Sequence, residues 1–311
     1  MALSEFSLIQ RFFTQQSVKN PSTCLGIGDD CALLSIPDGY ELAVTTDTMV
    51  EGVHFFKEAN PEQLGHKLLA VNLSDLASMG AKPLSVTLAL TLPRADEAWL
   101  GAFATGFLNL AQRYNVDLIG GDTTTGALTL TVQALGIVPR GQALRRSAAQ
   151  VGDFIYLSGN IGDAGLGLKI AQGYHSTQAD AAIKQFNQPY PACEIGQSLC
   201  GIANACIDIS DGLSSDLGHI LTQSQVGACL IWEQLPLSGA VLSYIQDTGD
   251  WLMPLIAGDD YQLCFTVKPE KAALVPSGCH KIGIIEAKHG LRLNKSGNIQ
   301  PLESKGYEHF S

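Results

Sequence analysis

The sequence predicts a globular protein of two domains, each mixing β-strands with α-helices. Three observations lead there. At 311 residues the chain is long for a single core. Hydrophobic residues make up 46% and charged residues 16%, enough apolar material for a large core and too little charge for a disordered chain. Segments with helical and with strand periodicity occur on both sides of residues 139–152, where Pro139, Gly141, Arg145, Arg146 and Gly152 read as a loop. That loop is the expected boundary, giving domains at 1–146 and 147–311.

Taken in order, residues 4–16 read as an amphipathic helix with Phe6, Ile9 and Phe13 on one face. A strand near 41–47 ends in Thr45-Thr46-Asp47, and Gly52 to Phe55 reads as an extended continuation. Asn60 followed by Pro61 is a helix start, an N-cap side chain before a proline whose missing N–H is not needed at the first helical position; Gly80 is the stop. The helix between them is apolar almost all round (Leu64, Leu68, Leu69, Val71, Leu73, Leu76, Met79), so it is expected to be buried. Yet Asn72, Asp75 and Ser78 form a polar stripe at i, i+3 spacing, which has to face something polar inside the protein. A strand at 84–92, a helix at 96–113 and a strand at 116–120 follow, and Gly120 to Gly126 reads as a turn into a β run ending at Val138. Beyond the boundary, strands are expected near 153–157, 205–210, 226–232, 260–267 and 280–285, and helices near 163–172, 194–203 and 213–223.

Composition excludes several classes. Nineteen Lys plus Arg against thirty Asp plus Glu give a net charge of −11, which argues against nucleic acid or an anionic membrane as a partner. No run approaches the roughly 20 apolar residues of a membrane span, and Glu5 and Gln10 stand where a signal peptide is apolar. A cytoplasmic protein is expected. The eight cysteines include no C-x-x-C pair, so neither disulfides nor zinc are expected; Cys31, Cys206, Cys229 and Cys264 lie in apolar runs and are expected to be buried.

Five short stretches set small residues and a carboxylate against an apolar run: Gly28-Asp29-Asp30, Thr45-Thr46-Asp47, Asn72-Leu73-Ser74-Asp75, Gly120-Gly121-Asp122 and Asp208-Ile209-Ser210-Asp211-Gly212. Converging carboxylates next to buried structure raise each other's pKa unless something compensates them. A divalent metal does so. Carboxylate, hydroxyl and backbone oxygens are the hard ligands that suit magnesium, which is rarely held without a phosphate nearby. The pattern therefore points to a phosphate-handling enzyme. Singly, several stretches have plainer readings: Gly120-Gly121-Asp122 and Gly28-Asp29-Asp30 as turns, Asp208 with Ser210 as the solvent face of a half-buried strand, Asp211 as a helix N-cap. Asp75, in the middle of a buried helix, has no such alternative. The run Gly159 to Gly165 could cradle a phosphate at a helix N-terminus. Arg145-Arg146 could hold a nucleotide phosphate or be a solvated linker pair. His54, among apolar neighbours, has the ordinary reading of a satisfied structural histidine. A Walker-type P-loop and the protein-kinase motifs are absent from the sequence.

In this order and spacing the segments resemble the thiamine-monophosphate kinase family, part of the superfamily that includes aminoimidazole ribonucleotide synthetase. The resemblance runs nearly end to end, through Gly26 to Asp30, Thr45 to Asp47, Gly52 to Phe55, Asn72 to Ala81, Gly120 to Thr123, Arg146-Ser147, Asp208 to Leu213, Asp260-Tyr261 and Gly306 to Phe310. It implies an α/β plus α+β two-domain fold: an N-terminal α/β domain that binds metal and ATP and pairs with its copy in a homodimer, a C-terminal α+β domain, and ATP in the cleft. It implies ATP-dependent phosphorylation of thiamine monophosphate to thiamine diphosphate, with several Mg2+ ions. Matched by motif, the metal ligands are Asp30, Thr45, Thr46, Asp47, Asp75, Asp122, Asp208 and Asp211. Gly121, Asp122, Arg146 and Ser210 contact ATP, and His54, Asp259 and Tyr307 contact the substrate. No catalytic base is implied. Two departures stand out: Ala257-Gly258-Asp259-Asp260-Tyr261-Gln262 replaces Gly-Gly-Glu-Asp-Tyr-Glu, and Gln188-Pro189-Tyr190-Pro191-Ala192 replaces Arg-Pro-x-Pro-Arg. The alternatives are another ATP-dependent enzyme of the superfamily with a different acceptor, and a non-catalytic nucleotide- or metal-binding protein on the same fold.

Overall fold

The structure, a computed structural model, describes residues 5–14, 20–176 and 179–309. It divides into two compact units, Met1–Leu76 with Ala81–Gly141, and Ala77–Gly80 with Gln142–Ser311. Both mix helices and strands. Among the described residues no helix is long and apolar enough to cross a membrane.

The first unit runs α1 (Glu5–Phe12), β1 (Thr23–Leu25), β2 (Leu33–Leu34), β3 (Tyr40–Val50), α2 (Pro61–Ser78), β4 (Lys82–Leu92), α3 (Glu97–Tyr114), β5 (Asp117–Thr125) and β6 (Thr129–Pro139). Its main sheet has the order β3-β6-β4-β5. Only β4 and β5 are parallel, and α3 is the crossover that a parallel pair requires. Local chemistry sets the helix ends. Asn60 Oδ1 accepts the amides of Glu62 and Gln63 at 2.9 and 3.3 Å, and Asp96 accepts those of Ala98 and Trp99, both at 3.1 Å, at the start of α3. After α2, Gly80 at φ 69° returns the Ala81 amide to Leu76 O. The two long helices approach closely because each offers a glycine: a Cβ on Gly65 would strike the Phe103 carbonyl, and one on Gly106 the Glu62 carbonyl. Leu68, Leu69, Leu73, Phe103 and Phe107 are fully buried.

The second unit runs β7 (Phe154–Leu157), α4 (Asp163–Ala171), α5 (Ala179–Asn187), α6 (Cys193–Ser198), β8 (Ala205–Asp208), α7 (Leu213–Ser224), β9 (Gly227–Ile231), α8 (Gly239–Thr248), α9 (Met253–Ile256), β10 (Leu263–Val267), β11 (His280–Glu286), β12 (Gly290–Lys295) and β13 (Asn298–Pro301). The seven-stranded sheet has the order β13-β12-β9-β11-β7-β10-β8. Leu213, Leu217 and Ile220 of α7 pack with Ile155, Ile207 and Ile285 of the sheet.

Several expectations are corrected. Gly52 to Phe55 is a tight turn, closed by Gly52 N–H to Phe55 O at 2.9 Å and by His54 N–H to Val50 O at 3.0 Å, because β3 already ends at Val50. The Gly120-Gly121-Asp122 stretch lies inside β5, since parallel pairing with β4 continues to Thr125. A Cβ at Gly121 would meet the Leu88 carbonyl, which is why glycine stands there. The expected strands at 205–210 and 260–267 are shorter, since β8 ends at Asp208 and β10 begins at Leu263. All four residues of β8 are buried, so Asp208 faces no solvent. Cys31 is exposed, beside the unforeseen β1–β2 hairpin; all eight cysteines are free. Of the expected helix at 4–16, α1 covers Glu5–Phe12, while Ser4, Gln15 and Gln16 lie outside the described residues. Phe13 is 5% exposed; the Phe6 side chain lies outside what is described, as does Phe310 of the tail motif.

The Gly106 contact gives a test. Gly106→Ala gains helix propensity of roughly 1 kcal/mol but forces two backbones apart, an overpacking cost of about 1–3 kcal/mol. Gly101→Ala on the same helix meets only the Phe12 ring at 3.4 Å. Chemical unfolding should show Gly106→Ala less stable than the natural chain and Gly101→Ala equal to it or more stable.

Candidate functional site

The polar stripe of α2 meets β3. Thr45 Oγ1 donates to Asp75 Oδ2. The Asp47 amide donates to Asn72 Oδ1 at 3.2 Å, while Asn72 Nδ2 donates to Leu68 O at 3.0 Å, one turn back. Because side chains alternate along a strand, Thr45 and Asp47 face α2 and Thr46 and Thr48 face away. Register places Asp122 with the latter: it pairs with Ala89, which pairs with Thr131, which pairs with Thr48. The structure thus brings Thr45, Asp47 and Asp75 together, and sets the side chains of Thr46 and Asp122 on the opposite face of the sheet. Asp30 is exposed on the loop between β1 and β2. With Asp29, Gly121 and Asp122 it lines a cleft of about 680 Å³ that has apolar walls including Phe13 and Leu118.

His54 is fixed by the turn after β3. Its Nδ1 accepts the Val50 amide at 3.0 Å, so the neutral ring carries its proton on Nε2 and can offer only a donor from that atom.

In the second unit, three segments interlock. Asp259 N–H bonds Ser210 O at 2.8 Å, Tyr261 N–H bonds Ile209 O at 2.8 Å, and Tyr307 N–H bonds Asp211 O at 3.1 Å. Ser210, Asp211, Asp259 and Tyr307 are therefore held together through their backbones. Two buried carboxylates, each 2% exposed, anchor the knot. Asp216 Oδ2 accepts the amides of Ser210, Asp211 and Gly212, each at 3.1 Å. Burial, with the nearby Asp211, pushes the Asp216 carboxyl up to about 7 against those three donors. The Asp260 oxygens accept the Gly162 amide at 3.0 and 2.9 Å, and Oδ1 the Ala164 amide at 3.4 Å, at the start of α4. Burial pushes the Asp260 carboxyl up to about 8.

These anchors change two readings. Asp211 is not the N-cap of α7; that position is Gly212, and Asp216 takes the amides. The Gly159–Gly165 run is not an open phosphate cradle, since Asp260 occupies its amides. Asp211 is half-buried and its carboxyl is raised, chiefly by burial, with His219, His309 and Arg146 pulling down and Asp259 pushing up. Arg146 is exposed on a short helical turn whose carbonyl accepts Ser224 Oγ at 2.8 Å. Neither Asp216 nor Asp260 is among the residues expected from sequence. The available signal was a carboxylate within an apolar frame, as in Leu213-Ser214-Ser215-Asp216-Leu217.

Of the two departures from the family pattern, Gln262 accepts the Ser158 hydroxyl at 2.7 Å, and that oxygen accepts the Leu263 amide at 2.8 Å. Nothing in the structure explains the Gln188 to Ala192 replacement.

Among the described residues no three His, Cys, Asp or Glu side chains form a preformed metal cage. The donors present are carboxylate and hydroxyl oxygens, half-buried or exposed except for Asp208, which is 4% exposed. That chemistry fits magnesium, which keeps several waters and shares its coordination with substrate phosphates.

Sequence comparison gives the class. The family described as AIR synthase related protein, N-terminal domain, matches residues 28–138, and its C-terminal domain matches 150–292. The thiamine-monophosphate kinase of Haemophilus influenzae is 46% identical over 100% of this chain and 99% of its own. The crystal structure of thiamine-monophosphate kinase from Stenotrophomonas maltophilia superposes with a TM-score of 0.86 at 40% identity, covering 94% of this chain and 98% of that one. AaThiL, complexed with AMPPCP and TMP, gives a TM-score of 0.80 at 28% identity over 100% and 99% of the two chains. The chain belongs to the thiamine-monophosphate kinase family of the AIR synthase related proteins.

The Asp260 anchor has a pH signature. Its folded pKa of about 8 lies above the usual 3.8, so the folded state binds the extra proton and this residue's contribution to stability is lost as pH rises from about 4 to about 8. Asp260→Asn keeps an acceptor for Gly162 and does not titrate. The Tm difference, variant minus natural chain, should grow over that window; a constant difference would contradict the assignment.

Proposed function

We propose that this chain transfers the γ-phosphoryl group of ATP to thiamine monophosphate, giving ADP and thiamine diphosphate. What carries the reading is family membership over the whole chain, together with Asp47 and Asp75 in the first unit and Asp211 and Asp259 in the second, which are half-exposed while neighbouring Asp216 and Asp260 are buried against backbone amides. A relative that binds an ATP analogue together with TMP supports the same pair of substrates.

The acceptor oxygen belongs to a phosphate already ionised at neutral pH, so no general base is required. The work of the protein is in-line positioning and electrostatic support. Asp30, Thr45, Thr46, Asp47, Asp75 and Asp122 of the first unit, and Asp208 and Asp211 of the second, are the proposed magnesium ligands; Thr46, whose side chain faces away from Thr45, would serve through its backbone oxygen. Bound magnesium supplies charge neutralisation on the phosphates. Gly121 and Asp122 at the cleft, with Arg146 and Ser210, are the proposed ATP contacts. His54 offers Nε2–H, and Asp259 and Tyr307 offer a carboxylate and an aromatic face suited to the thiazolium cation. The cytoplasm, which supplies ATP, is the proposed compartment.

A homodimer is also proposed. The β3 edge strand leaves Tyr40, Leu42 and Val44 at 39%, 45% and 54% exposure, and a long apolar edge of this kind is normally covered. A second copy fits this face; sedimentation of Val44→Lys should show a shift toward monomer.

Product analysis with ATP and thiamine monophosphate tests the reaction: ADP and thiamine diphosphate in equal amounts support it, and turnover with another acceptor alone overturns it. Asp75→Asn keeps an acceptor for Thr45 and removes the charge. Turnover should fall by about two to three orders of magnitude with Tm held or raised. His54→Asn should raise KM for thiamine monophosphate and leave kcat within a few-fold; a chemical step slowed about a thousandfold would instead assign acid–base work to this ring.

A further inference from the structure

The turn that carries Asp259 is backbone-strained on both sides of its buried anchor. Asp259 has φ 60° and Tyr261 has φ 48°. Aspartate visits this left-handed region with some ease, but a bulky tyrosine there is an outlier, and such strain persists only where surrounding structure enforces it. Here the enforcement is visible at three successive residues. The Asp259 amide is tied to Ser210 O and the Tyr261 amide to Ile209 O, both at 2.8 Å. Between them, the Asp260 carboxylate sits on the α4 amides, and Gln185 Nε2 donates to the Asp260 carbonyl at 3.0 Å.

The strain has a product. It folds the Tyr261 side chain back toward the start of the turn, where its hydroxyl donates to Asp259 Oδ1 at 2.9 Å. Tyr261 is buried at 9% exposure while Asp259 is only half-buried. A rigid aromatic lever thus reaches from the core to a carboxylate at the surface of the knot. A hydrogen bond to a charged acceptor is worth more than a neutral one, and it removes rotamer freedom from the group that accepts it.

We infer that Tyr261 is a positioning residue for substrate recognition: its hydroxyl fixes the Asp259 carboxylate in the orientation that meets the cationic ring of the substrate. This rests on the proposed role of Asp259. Tyr261 touches no reacting atom, so it acts on affinity for the cationic substrate and leaves phosphoryl transfer alone.

The test is a double-mutant cycle on the full chain: natural protein, Tyr261→Phe, Asp259→Ala and the double variant, each measured for kcat, for KM toward thiamine monophosphate and toward ATP, and for thiamine monophosphate affinity by calorimetric titration. Tyr261→Phe keeps the ring and its packing, and unfolding curves verify that it folds. The expected result is a loss of thiamine monophosphate affinity of about fivefold to twentyfold in Tyr261→Phe, with kcat and the ATP constant within about twofold. In the Asp259→Ala background the same change should do nothing further. An equal loss in both backgrounds, or no loss in Tyr261→Phe when Asp259→Ala has one, overturns the inference and leaves Asp259 in place. If Asp259→Ala itself leaves affinity unchanged, the substrate role of Asp259 falls first, and the inference with it.

Discussion

A carboxylate taken out of water must be re-solvated, and in this fold backbone amides do much of that work. Asp216 takes three amides and Asp260 two. Asp153, 1% exposed, takes the Gln150 amide at 2.9 Å with Asn204 and Thr266. Asp117, 2% exposed, takes the Asn20 amide at 3.0 Å and the Thr23 hydroxyl at 2.8 Å. An ionised buried group without such partners would cost several kcal/mol. The bonds run both ways: the same amides are fixed by the carboxyl oxygens they meet, so each of these buried aspartates is also a clamp on a turn. Asp117 ties down the chain that leads into the β1–β2 hairpin, and Asp216 and Asp260 tie down the turns of the second unit.

This sorts an acidic chain into two populations. Asp117, Asp153, Asp216 and Asp260, all buried, spend acceptors on amides and stabilise loops, while Asp208 is buried in β8. Half-exposed or exposed ones, Asp30, Asp47, Asp75, Asp122, Asp211 and Asp259, stay at surfaces where a cation can reach them. The sorting also decides what a helix N-terminus is used for. The start of α4, after a glycine-rich run, has the electrostatics of an anion site, and its occupant is the chain's own Asp260 carboxyl group. A phosphate there would have to displace a carboxyl group already bonded at 2.9 Å. The positive end of α4 therefore serves to hold a turn.

How far this was legible from sequence follows from the range of the interactions. The α2 stripe was readable because both the apolar surround and the polar exception lie within one helix, and its start at Asn60-Pro61 and stop at Gly80 are set by neighbours in sequence. Local composition makes the Gly120-Gly121-Asp122 stretch read as a turn, whereas pairing with β4 pulls it straight. The turn at Gly52 to Phe55 reads as extended chain because nothing local says that β3 ends at Val50. Asp260 has no local sign of being an anchor, since its donors lie nearly a hundred residues away; those of Asp216 lie four to six residues before it, and only its apolar frame marks it. Resemblance supplied what periodicity could not, naming Asp259 and Tyr307 without any geometry.

The deepest consequence lies in β3. Its alternation gives Thr45 and Asp47 to the α2 face and Thr46 and Thr48 to the other, so one strand supplies oxygen donors to both sides of a sheet. A slip of one residue would exchange the two sets and bury Leu42 and Val44 where Thr45 now bonds Asp75. The pairing with β6 runs from Tyr40↔Pro139 to Val50↔Thr129 without a shift, while within this sheet irregularities are confined to pairs that involve β4. The unbroken register is therefore what keeps the acidic corner and the exposed apolar edge on their own faces. The side-chain bond between Thr45 and Asp75, and the amide bond between Asp47 and Asn72, in turn pin that register to α2. The residues proposed to hold magnesium thus also determine which way the strand faces.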